Sequence, residues 1–591
     1  MKRSALKIFG GILAVMGIAA SSWRVRAWVI SKIFNLPPVE NDMQVERGLK
    51  MTTADGVTLV GDLYRPKTTA IPPVILIRTA YSRSTVSSTP FAYFFSRRGY
   101  SVFVQDVRGT GDSGGDFVPL VHERADGRAA VEWMTQQPWC NGEIATFGLS
   151  YLGYTANAIA IHNLPEVKAV FSVVAPATFR RILYGSGGFD FDTALQWTAI
   201  VDAQKKEKAE AASAGTLSKA LNFVKGFRRP EVPFDALPIA TADQAATGGS
   251  VDFYQSFVTS ADPNAPLWEA DTLTDEEIGG IEAPIFLSSN WHDTVLSDVL
   301  RDYQSLNAAG KSPRLTLFSG PHGSFNALFH YLRDGKAWFD HHLKGIGPGM
   351  GAKAGLEPLG EKPVRFNILN TEEWLDADCW PVPALPKRLY LSGSGLLSDA
   401  PANQAGSSSA YVYDPMHPTP AVGGNLLTSR QPIVDNAELE ARADTLVFTT
   451  APFTKTTYVI GEIKATIEFE ADSETADLFV RVNRVSDAGQ SRNVTDEIQR
   501  IFFESKRGGR QKVELNLIPT AVRFDPGQRL RLVIASGAHP RIARNLGLDS
   551  TQAQAFMTRG ISATIRIHHS PESPSWIDLP IADEFVGTAK R

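Results

Sequence analysis

Cysteine is nearly missing from this chain. Cys140 and Cys379 are the only two in 591 residues, so at most one intrachain disulfide can form. Neither a disulfide framework nor an all-cysteine zinc site is available. Surplus charge of one sign is missing too. Lys and Arg number 59 against 63 Asp and Glu, a net −4, and no basic domain or stripe of the kind that binds nucleic acid stands out. The sequence contains no internal repeat and no low-complexity tract. Hydrophobic residues make up 43% and charged residues 21%, globular values that argue against a disordered, collagen-like or multi-span membrane chain. The length suits two to four domains of about 150 residues each and more than one buried core.

The start of the chain has a texture of its own. Lys2, Arg3 and Lys7 lead into an uncharged, mostly apolar run over residues 8–20, which ends in the small residues Ala19, Ala20, Ser21 and Ser22. This is the layout of a secretory signal peptide. The run is short for a membrane-spanning helix, which needs about 20 residues, but extension to Trp23 keeps an uncleaved anchor open. Residues 28–34 are again amphipathic, and a buried N-terminal helix is the plainer reading. Residues 1–35 are expected to be a signal peptide or membrane anchor. The protein would then be exported (periplasmic or secreted) or held at a membrane by this segment.

From Met43 strands and helices alternate. Residues 73–78, 101–105, 144–147 and 167–175 read as strands, the first as an unbroken apolar run typical of a buried parallel strand. Residues 123–136 and 151–161 read as helices. Strands alternating with helices imply a parallel sheet with right-handed crossovers. Between about 178 and 280 the strands vanish and helical stretches such as 202–227 dominate, as in a lid inserted over a site. Strands return at 284–289 and 314–318, and a helix over 328–343 closes the α/β part. Residues 346–362 are rich in Gly and Pro, like a linker. Beyond them short β patterns follow one another to the C-terminus, which suggests a sandwich or jelly roll. The expected division is therefore 45–177 and 281–345 for the α/β domain, 178–280 for a helical cap and 363–591 for an all-β domain.

The chemistry centres on Gly148-Leu149-Ser150-Tyr151-Leu152-Gly153. It follows the strand 144–147 and opens a helix, the setting of a nucleophile elbow, where small residues let neighbouring backbones approach. Gly148 stands two before Ser150 as the elbow requires. The second glycine stands at +3 rather than +2, a departure from the usual pattern. The new helix also points backbone N–H groups at whatever Ser150 attacks. A serine nucleophile needs a base and an acid to orient it, in the order Ser, Asp, His for a fold of this kind. Asp293 follows the strand 284–289, and His322 follows 314–318. His292, His330, His341 and His342 are the other histidines nearby, with His330 the nearest rival. No His/Cys/Asp cluster has metal-ligand spacing, and no cofactor is expected. The loop 106–115 is Gly-rich but lacks the trailing Lys-Ser/Thr of a phosphate-binding loop.

Several of these stretches resemble one family. Ser150 in GLSYLG, Asp293 in NWHD and residues 338–345 (WFDHHLKG) are similar to the cocaine esterase and X-prolyl dipeptidyl-peptidase group, the CocE/NonD-type hydrolases. So are residues 137–142, 106–115 and 411–415. The resemblance runs from about residue 45 to the C-terminus. It implies an α/β-hydrolase core, an inserted helical cap and a C-terminal jelly roll, acting on esters or amides through an acyl-enzyme. It also implies a tyrosine hydroxyl in the oxyanion hole, for which Tyr81 matches, with the backbone N–H of Tyr151 as second donor. One departure is the histidine: the family commonly has G-P-W-x-H, and this chain has Gly320-Pro321-His322.

The expected activity is a serine hydrolase cleaving a small-molecule ester or amide, with Ser150, Asp293 and His322 catalytic. Phe189, Phe191 and Trp197 in the cap would shape an apolar acyl pocket. Asp190 and Asp192 are the carboxylates available to hold a substrate ammonium. An X-prolyl dipeptidyl aminopeptidase is the alternative in the same class, and a non-catalytic carbohydrate- or surface-binding protein the alternative outside it. No nucleic-acid partner is expected, and a homodimer is compatible with the sequence.

Overall fold

The computed structural model describes residues 23–589 apart from 86, 212–229, 348–361, 370, 428 and 549. The first 22 residues, where the signal or anchor is expected, lie outside the described residues, as does most of the expected linker. No described helix is long and apolar enough to cross a membrane.

A ten-stranded sheet forms the centre. Its strands are β1 (Met43–Thr52), β2 (Thr58–Pro66), β3 (Val74–Thr79), β4 (Ser101–Asp106), β5 (Ile144–Leu149), β6 (Val167–Val173), β7 (Ile285–His292), β8 (Arg314–Pro321), β9 (Val364–Asn367) and β10 (Trp374–Ala377). Their spatial order is 1-2-4-3-5-6-7-8-9-10. From β4 to β9 all neighbours run parallel. β3, β4 and β7 are buried along their whole length, because helices cover both faces of such a sheet. A short helix α1 (Trp23–Ile33) precedes it. α2 (Thr89–Ser96) and the long closing helix (Phe325–Lys344) cover one face, and α3 (Glu123–Thr135) and α4 (Tyr151–Ala160) the other.

Between β6 and β7 the chain leaves the sheet and forms helices, among them α5 (Phe179–Tyr184), α6 (Phe191–Ala211) and α7 (Ala242–Thr247). The expected helix 202–227 is described only as far as Ala211. Aromatic rings hold this region together: Phe179, Trp197, Phe253, Phe257 and Trp268 pack in one chain of contacts.

Two boundaries differ from the sequence reading. The all-β region was expected to begin at 363, but β9 pairs with β8 and β10 with β9. Those strands complete the central sheet because Val364 and Phe366, both fully buried, are needed to cover its edge. Beyond them lie a nine-stranded and a four-stranded sheet built of antiparallel pairs. At the other end, the expected boundary at 35 cuts through packed structure. The buried Ser31 accepts from Arg98 Nη2 at 3.2 Å, the same guanidinium donates to Pro37 O at 2.6 Å, and Phe34 stacks on Phe329 at 3.9 Å.

Candidate active site

The turn between β5 and α4 forces Ser150 into a conformation that a side chain rarely adopts, φ 58° and ψ −124°. Such a residue costs about 1–3 kcal/mol and persists only when its surroundings impose it. Here they do. A Cβ on Gly148 would stand 1.9 Å from the carbonyl oxygen of Leu152, so only glycine fits two residues before the serine. The glycine at +3 has its own cause: a Cβ on Gly153 would meet the Ala175 side chain at 2.7 Å. The close approach falls one residue later than in the usual pattern, and Leu152 fits at +2 because its side chain turns into the core, 2% exposed.

Two loops at the same edge of the sheet bring the base and acid to Ser150. His322 Nε2 lies 3.0 Å from Ser150 Oγ, and His322 Nδ1 lies 2.8 Å from Asp293 Oδ1. The Val295 N–H donates to the same carboxylate oxygen at 3.0 Å. Asn425, from the β region, donates its Nδ2–H to the Asp293 carbonyl at 2.8 Å. The rival histidines are elsewhere. His330 accepts from Arg333 Nη2 at 2.6 Å and packs on Phe318. His341 and His342 sit in the last turn of the closing helix. His292 is 1% exposed, and burial pushes its pKa down to about 4, so it is neutral at pH 7.

Tyr81 lies just past β3. Its hydroxyl accepts the indole N–H of Trp197 at 2.9 Å, and the Ser150 side chain is the other polar group beside it. Burial pushes the phenol above its ordinary pKa, so it keeps its proton. Tyr151 is the first residue of α4, so its N–H is one of the helix N-terminal donors left without an intrahelical partner. Its side chain anchors the turn from below. The phenol donates to Glu123 Oε1 at 2.8 Å and accepts the Leu120 N–H at 3.0 Å. Glu123 in turn pairs with the wholly buried Arg78 at 2.5 Å. Arg78 stands three residues before Tyr81 on β3, so this buried chain ties the two tyrosines to one framework.

The three cap aromatics divide. Trp197 faces the site: it stacks over Tyr151 at 6.1 Å and meets Phe117 at 6.3 Å. Phe189 and Phe191 do not line it, contrary to expectation. They are 1% and 0% exposed, the first against Tyr184 and Tyr254, the second against Phe234 and His539. The reason is a seam with the β region. The Ala543 N–H donates to Phe189 O at 2.8 Å and the Phe191 N–H to Arg541 O at 2.9 Å, which turns both rings into the interior. Asp190 and Asp192 lie in the same seam. Asp190 accepts the Thr193 N–H at 2.9 Å, and burial, then the neighbouring Asp192 charge, pushes its pKa up to about 7.

Sequence reasoning passed over Arg78, Glu123 and Asn425. A signal existed for the first pair: an arginine inside the apolar strand VILIRT demands a buried counter-charge. None existed for Asn425, which is 132 residues from its partner.

Comparison with known proteins fits this geometry. Residues 55–324 match the X-Pro dipeptidyl-peptidase (S15 family) model, and residues 360–578 match the X-Pro dipeptidyl-peptidase C-terminal non-catalytic domain. A cocaine esterase of Rhodococcus sp. (strain MB1 Bresler) is 27% identical over 92% of this chain and 99% of its own. Among solved structures, an alpha-amino acid ester hydrolase superposes with a TM-score of 0.73 at 20% identity, covering 92% of this chain and 97% of that one. A CocE/NonD family hydrolase from Staphylococcus aureus does so at 0.65 and 17%, covering 91% and 94%. At those identities the two structures speak for a shared fold.

Proposed function

The chain is a CocE/NonD-type serine hydrolase of the X-Pro dipeptidyl-peptidase family, and on that footing we propose that it is an acyl esterase in which Ser150 is the nucleophile. His322 Nε2 takes the Ser150 proton as Oγ attacks the ester carbonyl. Asp293 holds Nδ1–H and so fixes the tautomer that leaves Nε2 free to accept. The carbonyl oxygen gains charge between the Tyr81 hydroxyl and the Tyr151 N–H, donors already in place before the charge develops. His322 then returns the proton to the leaving alcohol. Water, deprotonated by the same imidazole, releases the acid from Ser150. Tyr81, Phe117 and Trp197 supply the aromatic surface for the acyl group.

The observation that carries this reading is the unbroken contact Ser150–His322–Asp293 at 3.0 and 2.8 Å on a strained serine. An acyl group without an ammonium is favoured by the seam: Asp190 and Asp192 are 7% and 1% exposed, and Asp190 accepts the Thr193 N–H there, so neither carboxylate is offered to a substrate ammonium. The export or anchoring read from residues 1–35 rests on their sequence layout, and the jelly-roll description of the β region on its run of short strands.

A fluorophosphonate probe tests the nucleophile. It should modify Ser150 and leave Ser150→Ala unlabelled, while a panel of p-nitrophenyl esters is turned over. Labelling of the alanine variant at the wild-type rate would move the nucleophile elsewhere. Xaa-Pro amides cleaved with a higher kcat/KM than every ester would make the peptidase the better description.

A further inference from the structure

Tyr81 has one proton and two directions in which to offer it. An oxyanion donor must point that proton at the reacting carbonyl before substrate arrives, because turning it during the reaction costs rate. Rotation about the C–O bond is otherwise easy, and a hydroxyl position is chosen by its partners. The partner here is Trp197. An indole N–H can donate and cannot accept, so in the 2.9 Å contact the phenol oxygen must be the acceptor. One lone pair is thereby taken, and the proton is left for the side where Ser150 lies.

We infer that Trp197 is a positioning residue that sets the donor direction of the Tyr81 hydroxyl, so that the cap completes the oxyanion hole. The inference rests on Tyr81 being an oxyanion donor. The indole is well placed to hold a direction. It is 7% exposed and locked between Tyr151, nearly parallel at 10°, Phe179 at 5.0 Å and Phe253 at 5.1 Å. Accepting a hydrogen bond also polarises the phenol and strengthens the bond it donates. Trp197 lies on α6, outside the central sheet. A cap shifted away from the sheet would therefore withdraw the indole, and the oxyanion hole would lose its preset geometry along with its roof.

The test separates the N–H from the ring. Trp197 is replaced by benzothienylalanine, which keeps the shape and puts sulfur where the N–H was; Trp197→Phe is made beside it. Activity on a p-nitrophenyl ester, inhibition by phenylboronic acid, which forms a tetrahedral adduct on serine, and thermal unfolding are measured. Without the N–H, kcat should fall roughly tenfold, as for a slightly misplaced catalytic group, with KM nearly constant and melting temperature unchanged. Phenylboronic acid should lose affinity by the same factor. In a Tyr81→Phe background the same replacement should change kcat little, because there is no proton left to aim. A fall of similar size in that background would mean that Trp197 acts by packing, and would overturn the inference. So would wild-type kcat and inhibition for the benzothienyl protein when Tyr81→Phe is impaired. If Tyr81→Phe alone keeps wild-type kcat, the oxyanion role of Tyr81 is what has failed, and the positioning role goes with it.

Discussion

The two sides of Ser150 are supported by different parts of the molecule and in different ways. On the oxyanion side, Tyr81 stands on the central sheet and Trp197 reaches it from the cap. On the acid side, Asp293 stands on the central sheet and Asn425 reaches it from the β region. The first support touches a side-chain hydroxyl that must choose a direction. The second touches a backbone carbonyl, while the carboxylate itself is steadied locally by the Val295 N–H. The acid side is thus held twice, once by its own loop, whereas the direction of the Tyr81 hydroxyl is set from the distant indole of Trp197. Losing a remote contact should therefore cost more on the cap side than on the β side.

Four changes probe that asymmetry. The largest effect is expected from Asp293→Asn, which keeps the shape but presents an amide to Nδ1 and favours the wrong imidazole tautomer. A fall of about 10⁴ in kcat is expected, with unfolding little changed. A fall under tenfold would take Asp293 out of the acid role. Next comes Tyr81→Phe, which removes one oxyanion donor and almost no volume. The cost should be about 10² to 10³ in kcat, with KM steady because the bond strengthens as charge develops. A loss under fivefold at unchanged melting temperature would leave Tyr81 as a packing aromatic.

Asn425→Ala should do less to the chemistry. It takes one donor from the Asp293 carbonyl, which keeps the Leu296 N–H at 3.2 Å, so the stability cost should be about 1 kcal/mol, while the carboxylate keeps the Val295 N–H. A fall in kcat beyond that of the benzothienyl replacement at Trp197 would reverse the asymmetry argued above. The smallest effect concerns pH. Asp190 in the cap seam has its folded pKa raised to about 7, so the folded chain binds its proton more tightly than the unfolded chain does. Its contribution to stability is present below the ordinary carboxylate range and is lost as pH rises toward 7. His292, packed against the β region, has its folded pKa lowered to about 4. The folded chain holds that proton less tightly, so its contribution is lost as pH falls from about 6.5 toward 4. Asp190→Asn should therefore melt higher than the parent at pH 7 and no higher at pH 4. An equal gain at both would place the strain in packing rather than in charge.

How much was legible beforehand depends on what each segment buries. The strands of the central sheet announce themselves, because burial on both faces leaves apolar runs such as that of β3. The twelve-residue strand Ser491–Phe502 has no such run, and the reason is visible in its partners. Asp496 and Arg500 are buried on it as ion pairs with Arg481 and Asp477 of the neighbouring strand Thr475–Val485. Charged residues that pair across a sheet erase the alternation on which a strand is recognised. Phe189 and Phe191 mislead in the opposite sense. Two aromatics in a cap look like an acyl pocket, but only the pairing with residues 541–543 decides that they turn inward.

By itself the sequence pointed to the elbow at Gly148–Ser150, to Asp293 and His322 at two later strand ends, and to the family. These depend on backbone geometry and on periodic burial, which neighbouring residues encode. The tertiary structure alone decided that Trp197 meets Tyr81 across 116 residues, that Asn425 meets Asp293 across 132, and that β9 and β10 belong to the central sheet. The physical reason is common to all three. A hydrogen-bond partner or a sheet edge is chosen by how whole layers pack, and no local spacing records which of many donors will arrive there.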